Sequence, residues 1–234
     1  MIQIDPQTRL DLEEAIREIH LIAGLDVGFT SSDGGPAAEA SGQKLRSVAI
    51  GVTSPDYGDG KTTVAIALAG SLSHDFGTTV TLVDADFHTH TLERQYGLEG
   101  ASGLSEVLTG TTPLIDVTHQ VNQASMNVVP AGMVQGDPAR LARSGRLAPA
   151  VAQLKRGSSH VILDLPATLH SLNAPALAQR CDGVIVVARH GKTTRQSLDR
   201  TLHLLRDANV IGVVVNQQRS NIPRWVQKAL GYHN

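Results

Sequence analysis

Residue types suited to holding a phosphate group lie together in the short segment 54–63. Gly58 and Gly60 allow backbone N–H groups to turn inward around an anion. Lys61 can bring a full positive charge to the β- and γ-phosphates of a nucleotide, and the Thr62 hydroxyl can ligate Mg²⁺. We therefore predict that ATP and Mg²⁺ bind at this segment, through Gly58, Asp59, Gly60, Lys61, Thr62 and Thr63.

The neighbouring residues supply the context that a phosphate-binding loop (P-loop) requires. An apolar run, predicted as strand 47–52, leads into the loop, and a predicted helix over 62–73 follows it. The N-terminus of that helix would add partial positive charge at the phosphates. Pro55 stands where the pattern G-x-x-x-x-G-K-[ST] begins with glycine, and the rest of the pattern is matched.

Carboxylates end two further apolar runs. Asp84 and Asp86 follow the run that begins at Val80, and Asp164 ends the run that begins at Val161. One aspartate at a strand end can simply cap the next turn. Two such strand ends in a chain that also carries a P-loop offer the oxygen ligands that Mg²⁺ prefers. We therefore predict a metal site formed by Thr62, Asp84 and Asp164.

Two other polar groups leave alternatives open. Asn216 follows the run Val213-Val214-Val215, where it is either a turn residue or a side-chain amide that reads the edge of an adenine base. His88 and His90 follow Asp86 at a spacing that a metal site could use. No third ligand stands at a fitting spacing, which favours solvent-facing loop histidines.

Short apolar runs alternate with longer helical stretches after residue 44. The predicted strands are 47–52, 79–84, 126–130, 160–165, 183–188 and 211–216, and the predicted helices are 62–73, 103–108, 138–141, 148–155, 174–179 and 194–208. Apolar runs without alternation indicate strands covered on both faces. The interleaved order predicts an α/β fold with a doubly wound, mostly parallel sheet, whose ligands bind beyond the carboxyl ends of the strands.

The N-terminal part has a different character. Residues 1–29 include an amphipathic helical pattern, and residues 30–44 are polar and rich in glycine, which is typical of a flexible linker. We predict a helical extension at 1–29, a linker at 30–44 and a nucleotide-binding domain at 45–234. The helix would pack either on its own domain or on another subunit.

Composition excludes several classes of function. The net charge of −2 and the pI of about 6.5 give no basic footprint for nucleic acid. Cys181 is the single cysteine, which favours a reducing compartment and a buried, inert thiol. No apolar run reaches the ~18 residues that span a bilayer. We predict a cytoplasmic protein that reaches a membrane only through a partner.

These residues resemble the MinD/ParA-like P-loop ATPases and, among them, the bacterial tyrosine kinases of capsule and exopolysaccharide synthesis. The similarity runs from about Leu45 to Gln217. It is carried by the loop Thr53–Thr63, Asp84-Ala85-Asp86, Tyr96-Gly97-Leu98 with Gly103–Gly110, Val128–Gly132 with Asp137–Leu141, Asp164-Leu165-Pro166 and Gly212–Asn216.

The resemblance implies phosphoryl transfer from ATP–Mg²⁺ to protein tyrosines. In that interpretation Lys61, Asp84 and Asp86 are the catalytic residues, and Asp84 accepts the tyrosine proton or orders a metal-bound water. The family also implies a homo-oligomer, for which Glu14 and Arg17 of the N-terminal helix are the contact residues. A transmembrane polysaccharide chain-length regulator, acting through its cytosolic tail, would be the activating partner at the inner face of the cell membrane.

Departures from the family pattern keep two alternatives open. The family's kinases end in a tyrosine cluster, whereas Tyr232 is the candidate phosphoacceptor near this chain's end, which supports a catalytically weak, kinase-like regulator. The MinD/ParA-type ATPases use nucleotide as a partner-binding switch and carry a lysine five positions before the P-loop lysine. Asp56 occupies that position here. His88 stands near the place of a basic residue that usually follows the D-x-D pair.

Overall fold

Seven strands form one sheet in the computed structural model, which describes residues 47–217 apart from 75, 122–125 and 135. The strands are β1 (Val48–Thr53), β2 (Val80–Asp84), β3 (His119–Val121), β4 (Met126–Val129), β5 (His160–Asp164), β6 (Gly183–Arg189) and β7 (Val210–Asn216). Their order across the sheet is β3-β4-β2-β5-β1-β6-β7, and all neighbours are parallel except β3 and β4. The predicted doubly wound, mostly parallel sheet is confirmed.

Helices cover both faces of this sheet. They are α1 (Lys61–His74), α2 (Thr91–Tyr96), α3 (Leu104–Thr109), α4 (Pro138–Ala142), α5 (Leu147–Gly157), α6 (Ala174–Ala178) and α7 (Arg195–Leu204), with a 3-10 helix at Leu114–Val117. Along β1, Ile50 belongs to the apolar cluster that includes Leu68 of α1, whereas Ala49 belongs to the opposite cluster with Leu154 of α5. This alternation follows from the two-residue period of a strand.

The central strands are buried along their whole length because β-branched and aliphatic residues fill them. Every residue of β1, β2 and β5 is buried, including Asp84 and Asp164 at the carboxyl ends. Strands β2 and β5 are adjacent, and Asp84 and Asp164 are direct register partners. Parallel packing thus brings the two predicted strand-end carboxylates to one edge of the sheet.

Three elements were not predicted, and each gives a weak sequence signal. Strand β3 is three residues long, antiparallel and at the edge of the sheet, so its pattern His119-Gln120-Val121 has no apolar run. Helix α2 has six residues and starts after His90, which has a left-handed backbone (φ 48°). The 3-10 helix has four residues. In addition, α7 ends at Leu204, four residues before the predicted end.

Several predictions fall outside the described residues. These are the N-terminal helix at 1–29 with Glu14 and Arg17, the linker at 30–44, and Tyr232. The division of the chain into three parts therefore stays a prediction. None of the helices in the described ranges is long and apolar enough to cross a lipid bilayer.

Candidate functional site

The predicted P-loop joins β1 to α1 at the carboxyl edge of the sheet. Gly58 and Gly60 have left-handed backbones, with φ of 79° and 99°, a region that glycine adopts without steric cost. A Cβ atom at Gly60 would lie 1.9 Å from Nδ2 of Asn216, so this position has no room for a side chain. Helix α1 then begins at Lys61. The first N–H groups of a helix have no partner within it, and here they lie at the end of the loop.

Lys61 lies among the strand-end carboxylates. Its Nζ is 2.8 Å from Oδ2 of Asp86 and 3.4 Å from Oδ1 of Asp164. The Lys61 side chain is only 8% exposed and both carboxylates are fully buried. Burial alone would lower the pKa of Lys61, but Asp164 and Asp86 outweigh it, so the pKa is raised and the ammonium stays charged.

The carboxylates of this cluster differ from one another in their electrostatics. Burial opposes ionisation of Asp86, but the charge of Lys61 and its hydrogen bond hold the pKa of Asp86 below the usual value. Burial and the charge of Asp164 raise the pKa of Asp84 well above the usual value. Burial also raises the pKa of Asp164, against the opposing effects of Lys61 and Thr62. One ammonium therefore faces three buried carboxyl groups.

The Asp84 carboxylate faces the turn that follows β2. Its Oδ1 accepts a hydrogen bond from the backbone N–H of Asp86 at 3.0 Å, and its Oδ2 accepts one from Leu92 at 3.4 Å. Asp86 itself accepts from the His88 N–H and the Thr89 hydroxyl, at 3.2 and 3.0 Å. The two aspartates thus hold the turn while Asp86 also pairs with Lys61.

The groups predicted as metal ligands lie at the same edge of the sheet. The Thr62 hydroxyl donates to Oδ2 of Asp164 at 2.6 Å, and Asp164 is the register neighbour of Asp84. Hydroxyl and carboxylate oxygens are the donors that Mg²⁺ takes, and the excess of negative charge in the cluster favours a cation there. Thr62, Asp84 and Asp164 therefore fit a magnesium ion in their chemistry.

Asp59 and Thr63, two of the predicted nucleotide-binding residues, lie in different surroundings. Asp59 is fully buried, and its Oδ2 accepts hydrogen bonds from the Asp56 N–H and the Thr193 hydroxyl. Thr63, in contrast, is exposed. Because the Asp59 side chain is engaged within the protein, its backbone N–H is the group that Asp59 could offer to an anion.

Asn216 lies against the P-loop. It is buried at the end of β7, and its Nδ2 donates to the Asp59 carbonyl at 2.9 Å. This contact is a third role, beside the turn and the adenine edge that the sequence left open. Reading of the base stays a prediction.

The two histidines after Asp86 lie in different surroundings. His88 is exposed, whereas Nδ1 of His90 is 2.7 Å from Oε2 of Glu93 at the start of α2. Glu93 is buried and also accepts from the N–H of Gly132. Within the described part of the chain, no group of three or more histidine, cysteine or acidic residues has the arrangement of a metal centre.

Several contacts that shape the loop were not predicted from the sequence. Nε2 of His170 is 2.8 Å from Oδ1 of Asp56, and the Tyr57 ring lies 4.8 Å from the His170 ring. Arg189 at the end of β6 and Lys192 in the following turn donate to P-loop carbonyls. The one available signal was position, because Arg189 ends β6 and Lys192 follows it at the same edge of the sheet.

Comparisons with known proteins agree with this geometry. The model of the CobQ/CobB/MinD/ParA nucleotide-binding domain family matches residues 50–228. The chain is 29% identical over 190 residues to tyrosine-protein kinase CpsD of Streptococcus pneumoniae serotype 4, covering 80% of this chain and 82% of that protein.

Solved structures give the same result at the level of the fold. The kinase domain of VpsO is 26% identical, with a TM-score of 0.69, and the match covers 74% of this chain and 86% of that one. The cell division ATPase MinD of Pyrococcus furiosus has a TM-score of 0.62 at 23% identity, with 80% of each chain covered. The predicted resemblance to tyrosine kinases and MinD-like ATPases is confirmed.

Proposed function

The chain belongs to the CobQ/CobB/MinD/ParA nucleotide-binding domain family, and we propose that it is an ATP-dependent protein-tyrosine kinase of exopolysaccharide or capsule synthesis. The observation that carries the proposal is the buried pairing of Lys61 with Asp86 and Asp164 at the mouth of the P-loop. The relationship to tyrosine-protein kinase CpsD favours tyrosine as the acceptor over other phosphoacceptors.

ATP binds in this proposal with its phosphates on the N–H groups of residues 58–63. Lys61 exchanges part of its contact with the carboxylates for the β- and γ-phosphate oxygens, which carry more charge. Mg²⁺ would supply positive charge to offset the negative charge that develops on the phosphates during transfer. Thr62, Asp84 and Asp164 are the residues that would hold it, directly or through water.

Transfer joins the tyrosine oxygen to the γ-phosphorus while the bond from that phosphorus to the ADP oxygen breaks. The tyrosine proton passes to Asp84 in our proposal. Asp84 suits this role by position, because it ends β2 beside Asp164, the residue that accepts the Thr62 hydroxyl hydrogen bond. Asp86 keeps Lys61 charged and oriented, since it forms the shortest of the Lys61 ion pairs.

The wider setting is also part of the proposal. A protein of this kind acts in the cytoplasm and is recruited to the inner face of the membrane by the cytosolic tail of a transmembrane chain-length regulator. Self-association through the N-terminal segment, with Glu14 and Arg17 as contact residues, would present tyrosines of one copy to the site of another. Tyr232 is the candidate acceptor near the chain end.

The test is transfer of label from γ-labelled ATP to tyrosine, by wild type and by Lys61→Met, with and without a regulator tail. We expect phosphotyrosine in wild type and none in Lys61→Met, because the substitution removes the cation that faces the β- and γ-oxygens. ATP hydrolysis by wild type without phosphotyrosine under all conditions would instead support the nucleotide switch.

One contact bears on that alternative. Asp56 occupies the position where the MinD/ParA-type ATPases carry a lysine. Its Oδ1 is 2.8 Å from Nε2 of His170. An aspartate carries no positive charge to offer to the phosphates of a second copy, and this one already contacts a histidine of its own chain. The contact therefore argues against the usual form of that mechanism, and a weakly active, kinase-like regulator is the stronger second candidate.

A further inference from the structure

Three successive carbonyl groups of the P-loop each accept a hydrogen bond from a different side chain. Lys192 Nζ donates to the Tyr57 carbonyl at 2.7 Å, Arg189 Nη1 to the Gly58 carbonyl at 3.2 Å, and Asn216 Nδ2 to the Asp59 carbonyl at 2.9 Å. All three donors come from the carboxyl ends of β6 and β7 or from the turn that follows β6.

These contacts decide where the N–H groups of the loop point. A peptide unit is planar and trans, so the carbonyl of one residue and the N–H of the next point in opposite directions. Fixing the carbonyls of residues 57, 58 and 59 toward β6 and β7 therefore fixes the N–H groups of residues 58, 59 and 60 toward the opposite side. Those are N–H groups that a phosphate-binding loop uses.

The donors are themselves held by the sheet. Arg189 and Asn216 are register partners at the ends of β6 and β7. The turn that carries Lys192 is closed by hydrogen bonds from the N–H groups of Lys192 and Thr193 to the Arg189 carbonyl, at 3.1 and 2.9 Å. The His190 N–H donates to the Asn216 carbonyl at 2.9 Å, which ties the turn to β7.

Lys192 has a second contact inside the loop. Its Nζ lies 3.5 Å from Oδ1 of Asp59, whose side chain is fully buried. The other oxygen of Asp59 accepts from the Asp56 N–H at 3.0 Å and from the Thr193 hydroxyl at 3.1 Å. A buried carboxylate is costly unless it is paired and hydrogen-bonded. Lys192 and Thr193 thus attach the loop to the turn through a side chain as well as through the backbone.

We propose that Lys192, Arg189 and Asn216 are positioning residues that hold the P-loop in its phosphate-binding conformation before nucleotide arrives. The inference rests on the proposed nucleotide-binding function and assigns these residues a role that acts through the loop backbone rather than on the phosphates. Pre-ordering matters here because a glycine-containing loop loses more conformational entropy than other backbone when it becomes fixed.

The test measures ADP affinity in the presence of Mg²⁺, together with amide hydrogen exchange over residues 55–61 in the nucleotide-free protein. We expect Lys192→Met and Arg189→Met each to weaken ADP binding by about three- to tenfold, the range of a partly exposed charged hydrogen bond. We also expect faster exchange in the loop. Lys192→Arg keeps a cationic donor and should restore both quantities toward wild type.

Arg195→Gln is the matched control. Arg195 lies three residues after Lys192, is 94% exposed, and pairs with Asp199 at 3.7 Å rather than with the loop. The Arg195→Gln substitution removes the same unit of charge, and it should leave the ADP affinity and the amide exchange of the loop unchanged. Equal weakening by Arg195→Gln would show a general effect of charge and would overturn the proposal.

The outcomes separate this inference from the proposed function. Wild-type protein that fails to bind ADP or ATP would remove the nucleotide-binding function itself. Wild-type protein that binds, together with Lys192→Met and Arg189→Met variants that bind equally well and exchange at the wild-type rate, would overturn the positioning role alone. Thermal unfolding of each variant verifies that the comparison is made on folded protein.

Discussion

Nζ of Lys61 lies 2.8 Å from Oδ2 of Asp86, in an ion pair that is almost closed to solvent. The two residues stand at the start of α1 and just after β2, and they meet because β2 and β1 are separated in the sheet by β5 alone. A buried ion pair is weak evidence of stabilisation by itself, since desolvation offsets much of the attraction. Its chemical meaning comes from the neighbouring carboxyl groups.

Asp84 and Asp164 share this space, and the charge of Lys61 does not neutralise all three acids. The pKa of Asp86 is lowered, whereas the pKa values of Asp84 and Asp164 are raised. The site therefore stores unfavourable electrostatic energy that a divalent cation would relieve. This asymmetry leads to opposite expectations for two conservative substitutions.

Asp86→Asn should destabilise the protein near neutral pH. The pKa of Asp86 is lower in the folded state than its ordinary value of 3.8, so its ionised form stabilises the fold above that value. We expect the free energy of unfolding to fall by about 1–3 kcal/mol, the size of a lost charged hydrogen bond. The loss should shrink as the pH falls below about 4, because the wild-type carboxylate then becomes protonated as well. Denaturant unfolding across this range measures it, and a loss that does not depend on pH would contradict the assignment.

Asp84→Asn should have the opposite sign. The folded-state pKa of Asp84 is raised by burial and by Asp164, so ionised Asp84 opposes folding above its unfolded-state value. Without Mg²⁺ and nucleotide, we expect the variant to melt at a higher temperature than wild type near neutral pH, with the difference vanishing in acid. Phosphoryl transfer should be lost at the same time.

The control for Asp84→Asn is Asp207→Asn. Asp207 is 67% exposed and pairs with Arg206 at 3.7 Å, so its removal should leave the melting temperature almost unchanged. A lower melting temperature for Asp84→Asn would show that the hydrogen bonds from Asp86 and Leu92 outweigh the charge, and would contradict the prediction.

The sequence predicted the sheet and the convergence of Lys61, Thr62 and the strand-end aspartates because both follow from one rule. Parallel strands end at a common edge, so polar residues that follow apolar runs meet there. The same rule does not say which carboxylate pairs with Lys61. Asp84 and Asp86 are two residues apart in an irregular turn, and their separate roles depend on the hydrogen bonds from the Asp86, His88 and Leu92 N–H groups.

The contacts around the P-loop could not be read from the sequence. Asp56 and His170 are 114 residues apart, and Lys192 and Tyr57 are 135 apart. No local pattern links such pairs, and the pairing depends on how the β5–α6 and β6–α7 connections pass over the loop. The N-terminal segment and Tyr232 lie outside the described residues, so the predicted oligomer contact and phosphoacceptor stay predictions.

Gly60→Ala should abolish nucleotide binding and cost more stability than a left-handed backbone alone. The added Cβ would lie 1.9 Å from Nδ2 of Asn216 and would displace the side chain that donates to the Asp59 carbonyl. Gly77→Ala is the matched control, because Gly77 also has a positive φ (63°) but no heavy atom within 4 Å of the Cβ position.

We expect Gly77→Ala to lose about 1–2 kcal/mol from backbone strain and to keep its nucleotide affinity. Gly60→Ala should lose more and bind no ADP, as measured by denaturant unfolding and by titration of a fluorescent ADP analogue. Equal costs and intact binding in both variants would contradict the close approach of Asn216.

Cys181 is a partly exposed residue, but its thiol should react slowly in the folded protein. Its thiol packs against β1, where Sγ lies 3.0 Å from the position that a Cβ of Gly51 would take, and 3.7 Å from the Leu177 carbonyl. Burial, with a further contribution from the charge of Asp182, raises the pKa of Cys181 to about 12. The thiolate is the reactive form, and about one thiol in ten thousand would be ionised near pH 8.

An aromatic disulfide reagent should therefore label the native chain very slowly and should label one thiol per chain at once in denaturant. Since Cys181 is the single cysteine, the signal has no background. Rapid labelling of native protein would contradict the burial of this thiol and would reopen its exclusion as a nucleophile.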